Sequence, residues 1–300
     1  MQHKIVLQQL QDSKLNDYEI LERLGNQKRR KFCEVFKVRH KQTLEFFILK
    51  VSSTDLGRET LKAESQFSFS NSGLPQVIWC LEDEVSTALL LRYQNGVTLT
   101  DHFRKIKSNQ KFDAAVRFCQ SILPLLTELR EKNIAHLDLK PSNILIDAST
   151  GEVSLIDFGL AIDYSSPVQR KLIFPLGFAS PEVILNRLHL VDHRSDYFSI
   201  AVVLFQWFEG KLPLLNPNPG ITTNLQITHP LPDADSLDKK ANAALQKLGA
   251  KFSFKTAPNT LSKEDLDKSL LLGKISRYDK FEEFITEFKQ GGRRKKWGLF

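Results

Sequence analysis

The sequence predicts an α+β fold in two parts: a small antiparallel sheet with one helix, then a larger, mainly helical lobe. Three observations lead there. Residues 18–51 hold three apolar runs with short links, and strands so joined pair antiparallel. A single helical repeat over 56–69 is followed by two more strand-like runs. Beyond about residue 100 the long apolar patterns have helical spacing.

In chain order, Met1–Asn16 is a polar lead-in with some helical spacing at Ile5, Leu7 and Leu10. Tyr18–Gly25, Cys33–His40 and Phe46–Val51 read as strands, the last reached through the turn Lys41-Gln42-Thr43. Thr54 or Asp55 caps the helix Leu56–Phe69, whose threefold spacing puts Leu61, Glu64 and Phe67 on one face. Gln76–Leu81 and Ser86–Arg92 are two further strands, and Tyr93–Gly96 leads away as a loop. Thr100 or Asp101 caps a short helix near Asp101–Lys107. Phe112–Asn133 carries a strong helical pattern and reads as a core helix.

Two short apolar runs frame the turn Ala148–Glu152 as a hairpin would. Phe198–Phe208 is the longest apolar stretch; too short to span a bilayer, it reads as a buried helix. Asn216–Thr260 is rich in Pro, Asn and Thr, with one helical patch at Leu237–Leu248. A final helix, Phe281–Phe288, precedes a basic tail. The boundaries are a lead-in at 1–17, the sheet lobe at 18–92, the helical lobe at 93–290 and the tail at 291–300.

Composition narrows the class. A chain of 300 residues with 41% apolar and 26% charged side chains builds a core without disulfides. Cys33, Cys80 and Cys119 show no C-x-x-C spacing, which argues against metal or redox chemistry. Free thiols and the lack of a charged-then-apolar leader pattern favour a cytoplasmic protein. Part of the net charge of +7 sits in Lys28-Arg29-Arg30-Lys31 and Arg293-Arg294-Lys295-Lys296. Without interleaved aromatics these read as solvated loop and tail, and neither nucleic acid nor membrane is the expected partner.

The chemistry concentrates at 136–159, where His136-Leu137-Asp138-Leu139-Lys140-Pro141-Ser142-Asn143 is followed by Asp157-Phe158-Gly159. Asp138 and Lys140, two apart, turn to one side of an extended loop, and Pro141 fixes the bend before Asn143. Asn143 and Asp157 supply hard oxygen ligands suited to Mg²⁺, which takes its remaining ligands from water and phosphates. Asp138 is left as a base beside a lysine that can neutralise a moving phosphoryl group. This is the residue set of a phosphoryl-transfer site.

These motifs resemble the catalytic loop and D-F-G segment of the protein kinases, and the likeness runs roughly from Asp17 to Lys289. It implies the two-lobed kinase-like fold, with ATP and Mg²⁺ as cofactors and a protein Ser/Thr hydroxyl as acceptor. Lys140 is similar to the serine/threonine-directed members. By the same resemblance Lys50, ending Phe47-Ile48-Leu49-Lys50, holds the α- and β-phosphates, with Glu64, or alternatively Glu59, as its partner. Val35 and Ile48 lie against the adenine, Ile48 where a small residue is usual, and Leu145 joins the nucleotide site. Leu91 is the gatekeeper, the Arg92 carbonyl accepts from the adenine amine, and the Gln94 N–H donates to the ring.

Ser68 stands where an apolar packing residue is usual. Asp196 would accept from catalytic-loop N–H groups, and Arg277 would pair with Glu182 in Ala179-Ser180-Pro181-Glu182. His136 reads as a packing residue. The chain also departs from the pattern. Gly25 matches the first glycine of the phosphate-covering loop, but Asn26–Phe32 lacks the other two; its basic residues either replace that grip or form a solvated loop. Leu137 replaces the arginine that reads an activation-segment phosphate, as in bacterial-like members, and Pro175 replaces a threonine. These losses keep open a pseudokinase that binds nucleotide or a partner without turnover. A small-molecule kinase is a weaker third reading.

Overall fold

The computed structural model describes residues 13–25, 33–166, 174, 176–254 and 258–293. The loop 26–32 with its basic run, Pro175, and the tail beyond Arg293 lie outside the described residues. The chain forms two compact units. One runs to Asn95 and takes in Ile156–Leu160; the other comprises Gly96–Leu155 and the chain from Ala161 onward.

The first unit is a five-stranded antiparallel sheet in the order β1-β2-β3-β5-β4. The strands are β1 (Tyr18–Arg23), β2 (Glu34–His40), β3 (Phe46–Ser52), β4 (Val77–Glu82) and β5 (Thr87–Arg92). Alternation along the central strand sorts its side chains. Phe47, Leu49 and Val51 join Phe36, Val38 and Leu90 in one buried cluster. Ile48 falls on the other face, with Leu89, Leu91 and Leu61. Lys50 follows Ile48 by two, so the same period turns the ammonium to that second face. Its register partners are Val35 on β2 and Leu89 on β5.

Helix α1 (Asp55–Ser65) starts one residue earlier than its sequence pattern indicated, because Thr54 caps it by accepting from Gly57 N–H. It also stops four residues short of Phe69. The reason lies in Phe67 and Phe69, whose rings stack on each other 6.2 Å apart beyond the helix end.

The second unit is mainly helical. Short strands β6 (Val97–Thr98), β8 (Ile144–Ile146) and β9 (Val153–Leu155) make a three-stranded sheet, and β7 (Ile134–Ala135) pairs with β10 (Ile162–Asp163). Helix α2 (Leu99–Lys105) begins two residues before the expected Asp101, because Thr98 rather than Thr100 or Asp101 is the cap. Helix α3 (Lys111–Glu131) buries every residue of its apolar stripe, from Ala115 to Leu129. A one-turn helix, α4 (Pro181–Ile184), precedes α5 (His193–Glu209), which is buried on nearly all sides.

Helix α6 (Pro219–Thr228) lies in the stretch read as Pro/Asn/Thr-rich loop. Its cap Asn218 and Pro219 at the first helical position explain why it forms. Helices α7 (Lys239–Leu248), α8 (Lys263–Ile275) and α9 (Phe281–Lys289) complete the unit, with α9 packed on α3 and α7. Among the described residues no helix is long and apolar enough to cross a membrane.

Candidate active site

In the sheet unit, Lys50 Nζ lies 2.7 Å from both carboxylate oxygens of Glu64 and 3.0 Å from Asp157 Oδ1. The strand period and the helix face bring Lys50 and Glu64 together across 14 residues of sequence. Glu59, the alternative partner, is exposed. Burial favours a neutral amine at Lys50, but the Asp157 and Glu64 carboxylates outweigh it and hold its pKa well above the ordinary lysine value. Burial pushes the Glu64 carboxyl upward. The Lys50 ammonium and the Phe158 N–H at 3.2 Å both donate to it, and donors suit a carboxylate. The geometry therefore fits an ionised pair.

The segment 156–160 belongs to this unit because of those bonds and an aromatic contact. Phe158 is fully buried, with its ring 5.1 Å from Phe69 and 6.3 Å from Phe67. These two rings fill the packing role that Ser68 leaves open. Asp157 itself adopts φ +70°, a left-handed conformation that aspartate tolerates better than most residues. Gly159 has no room for a side chain: a Cβ there would lie 2.2 Å from the Thr60 Cγ2 methyl.

The other nucleotide-site assignments in this unit divide by exposure. Val35 and Leu91 are buried, and Ile48 is partly buried against the Leu61–Leu89–Leu91 cluster. Gly25 adopts φ +85°. The Arg92 side chain is exposed, 3.9 Å from Glu45. Gln94 spends its side-chain amide on the Ser72 and Leu74 carbonyls, at 2.6 and 3.3 Å. That leaves any role in ring recognition to its backbone.

In the helical unit, Lys140 Nζ donates to both oxygens of Asp138 at 2.8 Å. Asn143 Nδ2 donates to the Asp138 carbonyl at 3.0 Å and to its Oδ2 at 2.7 Å. Those two bonds fix which way the amide points, so Oδ1 is the oxygen left to serve as a ligand. It accepts a long 3.4 Å bond from Ser142 Oγ. Taken singly, each group is a hard oxygen donor of the kind Mg²⁺ takes: an oriented amide oxygen on Asn143 in this unit, and in the sheet unit a carboxylate on Asp157 that is 45% exposed. Leu145 is half-buried on β8.

The loop bearing Asp138 is held from beneath. Asp196 on α5 accepts from the His136 N–H at 2.7 Å and from the Leu137 N–H at 2.9 Å. His136 is fully buried, and its Nδ1 accepts from the Asp138 N–H at 3.2 Å. Leu137, in the arginine's place, sits at φ +62°, a strained position for a leucine that costs roughly 1–2 kcal/mol. The Asp196 bonds hold it there. Arg277 meets Glu182 through two guanidinium nitrogens, at 2.6 and 3.1 Å.

Sequence reasoning missed Thr60, the bracing rings Phe67 and Phe69, and the side chains of Ser195, Ser199 and Gln226. The Phe-Ser-Phe triplet was a usable signal for the rings. The others had none, because their partners are main-chain groups or side chains distant in sequence.

The protein kinase domain family matches residues 18–260. The serine/threonine-protein kinase AtPK1/AtPK6 of Arabidopsis thaliana is 28% identical over 211 residues, covering 67% of this chain and 43% of that one. The mitogen-activated protein kinase kinase SIPKK of Nicotiana tabacum is 32% identical over 189 residues, 60% of this chain and 52% of that one. The chain thus spans about half the length of the curated relatives it matches. The solved structure of the Cydia pomonella granulovirus kinase PK-1 aligns with a TM-score of 0.66 at 19% identity, covering 95% of this chain and 98% of that one, a likeness of fold. This chain belongs to the protein kinase family.

Proposed function

We propose that the protein transfers the γ-phosphoryl group of ATP to a serine or threonine hydroxyl of a protein substrate. The observation that carries this reading is the Lys50–Glu64–Asp157 cluster, with Lys50 Nζ at 2.7 Å from Glu64 and 3.0 Å from Asp157. Two carboxylates around one ammonium leave a net negative centre, one side of it exposed, which suits a divalent cation and its phosphates.

In this reading Lys50, kept protonated and oriented by Glu64, holds the α- and β-phosphates. Asp157 and Asn143 Oδ1 are the metal ligands. When bound, Mg²⁺ neutralises phosphate charge. Asp138 aligns the acceptor hydroxyl and takes its proton, and Lys140 faces the charge of the moving phosphoryl group. Lysine at position 140 favours serine or threonine over tyrosine as acceptor.

The test is transfer from γ-labelled ATP to generic protein acceptors by the purified protein. Transfer is expected in the wild type. Asp138→Ala should abolish it and spare ATP binding, and Asp157→Ala should remove Mg²⁺-dependent binding. Retained transfer in either variant overturns the assignment. Nucleotide binding without transfer in the wild type would favour the pseudokinase reading, which the missing glycines of 26–32 support.

A further inference from the structure

The segment just before α4 is held in an unusual way. Three of its main-chain groups bond to two side chains. Gly177 N–H donates to Gln226 Oε1 at 3.0 Å. Gln226 Nε2 donates to the Ala179 carbonyl at 2.8 Å. Between them, Ser199 Oγ donates to the Phe178 carbonyl at 3.1 Å. Gln226, on α6, is only 3% exposed, so both ends of its amide are committed in a dry environment where a lost bond is costly. The backbone is also sterically set: Gly177 has φ +98°, and a Cβ there would lie 2.9 Å from Leu212 Cδ1.

The clamp connects to the catalytic loop through one helix. Ser199 lies one turn along α5 from Asp196, whose carboxylate holds the His136 and Leu137 N–H groups. Ser195, on the same turn, donates to Glu182 Oε1 at 2.8 Å. The first turns of α5 therefore tie the loop bearing Asp138 and residues 178–182 to one rigid support. At the outer end of the clamped segment, Leu176 is 41% exposed.

We infer that Gln226 is a positioning residue for the acceptor substrate: its amide fixes Gly177–Ala179 as the surface on which the acceptor peptide rests beside Asp138. This rests on the kinase reading. It also gives a reason why Leu137 suffices in place of an arginine. The segment is ordered by a neutral amide and a serine, with no phosphate to be read.

The experiment compares wild type, Gln226→Leu and Gln226→Glu in steady-state transfer and in amide hydrogen exchange at residues 176–180. Gln226→Leu removes both bonds. It should raise the acceptor KM about tenfold, with the ATP KM unchanged within about twofold, and speed exchange at Gly177. Gln226→Glu keeps the bond from Gly177 and, when ionised, loses the one to Ala179. Its acceptor KM should rise less, and fall toward wild type as the pH drops and the protonated carboxyl donates again. Should Gln226→Leu not fold, this second variant carries the test. Faster exchange with an unchanged acceptor KM overturns the inference alone. A wild type that transfers to no acceptor overturns the kinase reading, and this inference with it.

Discussion

Two buried glutamates in this molecule each face a cation, and the pairs differ in what is left over. Glu182 and Arg277 are both 1% exposed at the side chain. The guanidinium makes a two-pronged bond to Glu182 and also donates to the Ala250 and Arg194 carbonyls. Burial raises the Glu182 pKa, but Arg277 prevails and holds it below the ordinary carboxyl range. This pair is saturated, so it can only fix geometry. Around Lys50 one cation serves two carboxylates, and Asp157 is 45% exposed. One carboxylate of that cluster therefore meets solvent, which neither member of the Glu182–Arg277 pair does.

That contrast can be broken experimentally. Lys50→Met should lower phosphoryl transfer by about a thousandfold, since a fixed charge facing the phosphates is lost. Its stability loss should be the smaller of the two pairs, because Glu64, already pushed up by burial, takes a proton when its partner goes. Transfer rates with thermal melts measure both. Arg277→Met should do the reverse: about 3–5 kcal/mol of stability lost in denaturant titrations, because Glu182 stays buried and unpaired. Nucleotide affinity of the folded fraction should hardly change. Equal melting losses in the two variants would erase the distinction between closed and open pairs.

A subtler change sharpens it. Gly159→Ala places a methyl on Thr60 and should cost about 1–3 kcal/mol, with nucleotide binding weakened as Asp157 shifts. Thr60→Ser, which removes the methyl in the way, should restore most of the loss, and melts with nucleotide titration would show it.

A third cation, half-buried, extends the comparison. Lys251 shares the Phe198 ring with Arg277, at 5.5 and 5.0 Å, and its ammonium donates to the Gln226 main-chain carbonyl at 2.9 Å. Burial, with Arg277 close by, lowers its pKa from 10.5 to about 7. The unfolded chain therefore holds this proton between about pH 7 and 10.5 while the folded chain has released it, so the lysine makes stability rise with pH across that window. Below pH 7 both states are protonated and the contribution is flat. The melting temperature of wild type relative to Lys251→Met should accordingly climb from pH 7 to pH 9; a constant difference would contradict the lowered pKa.

Much of this was legible in the sequence, for identifiable reasons. The family resemblance singled out Lys50, and Glu64, on one helical face with Leu61 and Phe67, was its first-choice partner with Glu59 the alternative. The stripe of α3 was plain because its apolar residues repeat over about four turns. The legibility failed where structure depends on capping or on distant contacts. Thr98 displaced the expected cap of α2. Helix α6 hid behind β-branched and turn-forming residues whose helical propensity is low. Helix α1 ended early because two phenylalanines found a better place on Phe158 than on the helix face.

The residue order alone determined the chemistry on offer: a carboxylate, a lysine, an amide and a second carboxylate in fixed spacing, and a lysine in an apolar strand. Those are covalent facts, and their periods set which face each side chain takes. Only the tertiary structure decided which buried charge is saturated and which stays open, and that Gln226 spans Gly177 and Ala179. Such outcomes depend on desolvation and on groups separated by tens to hundreds of residues, and local patterning carries no information about either.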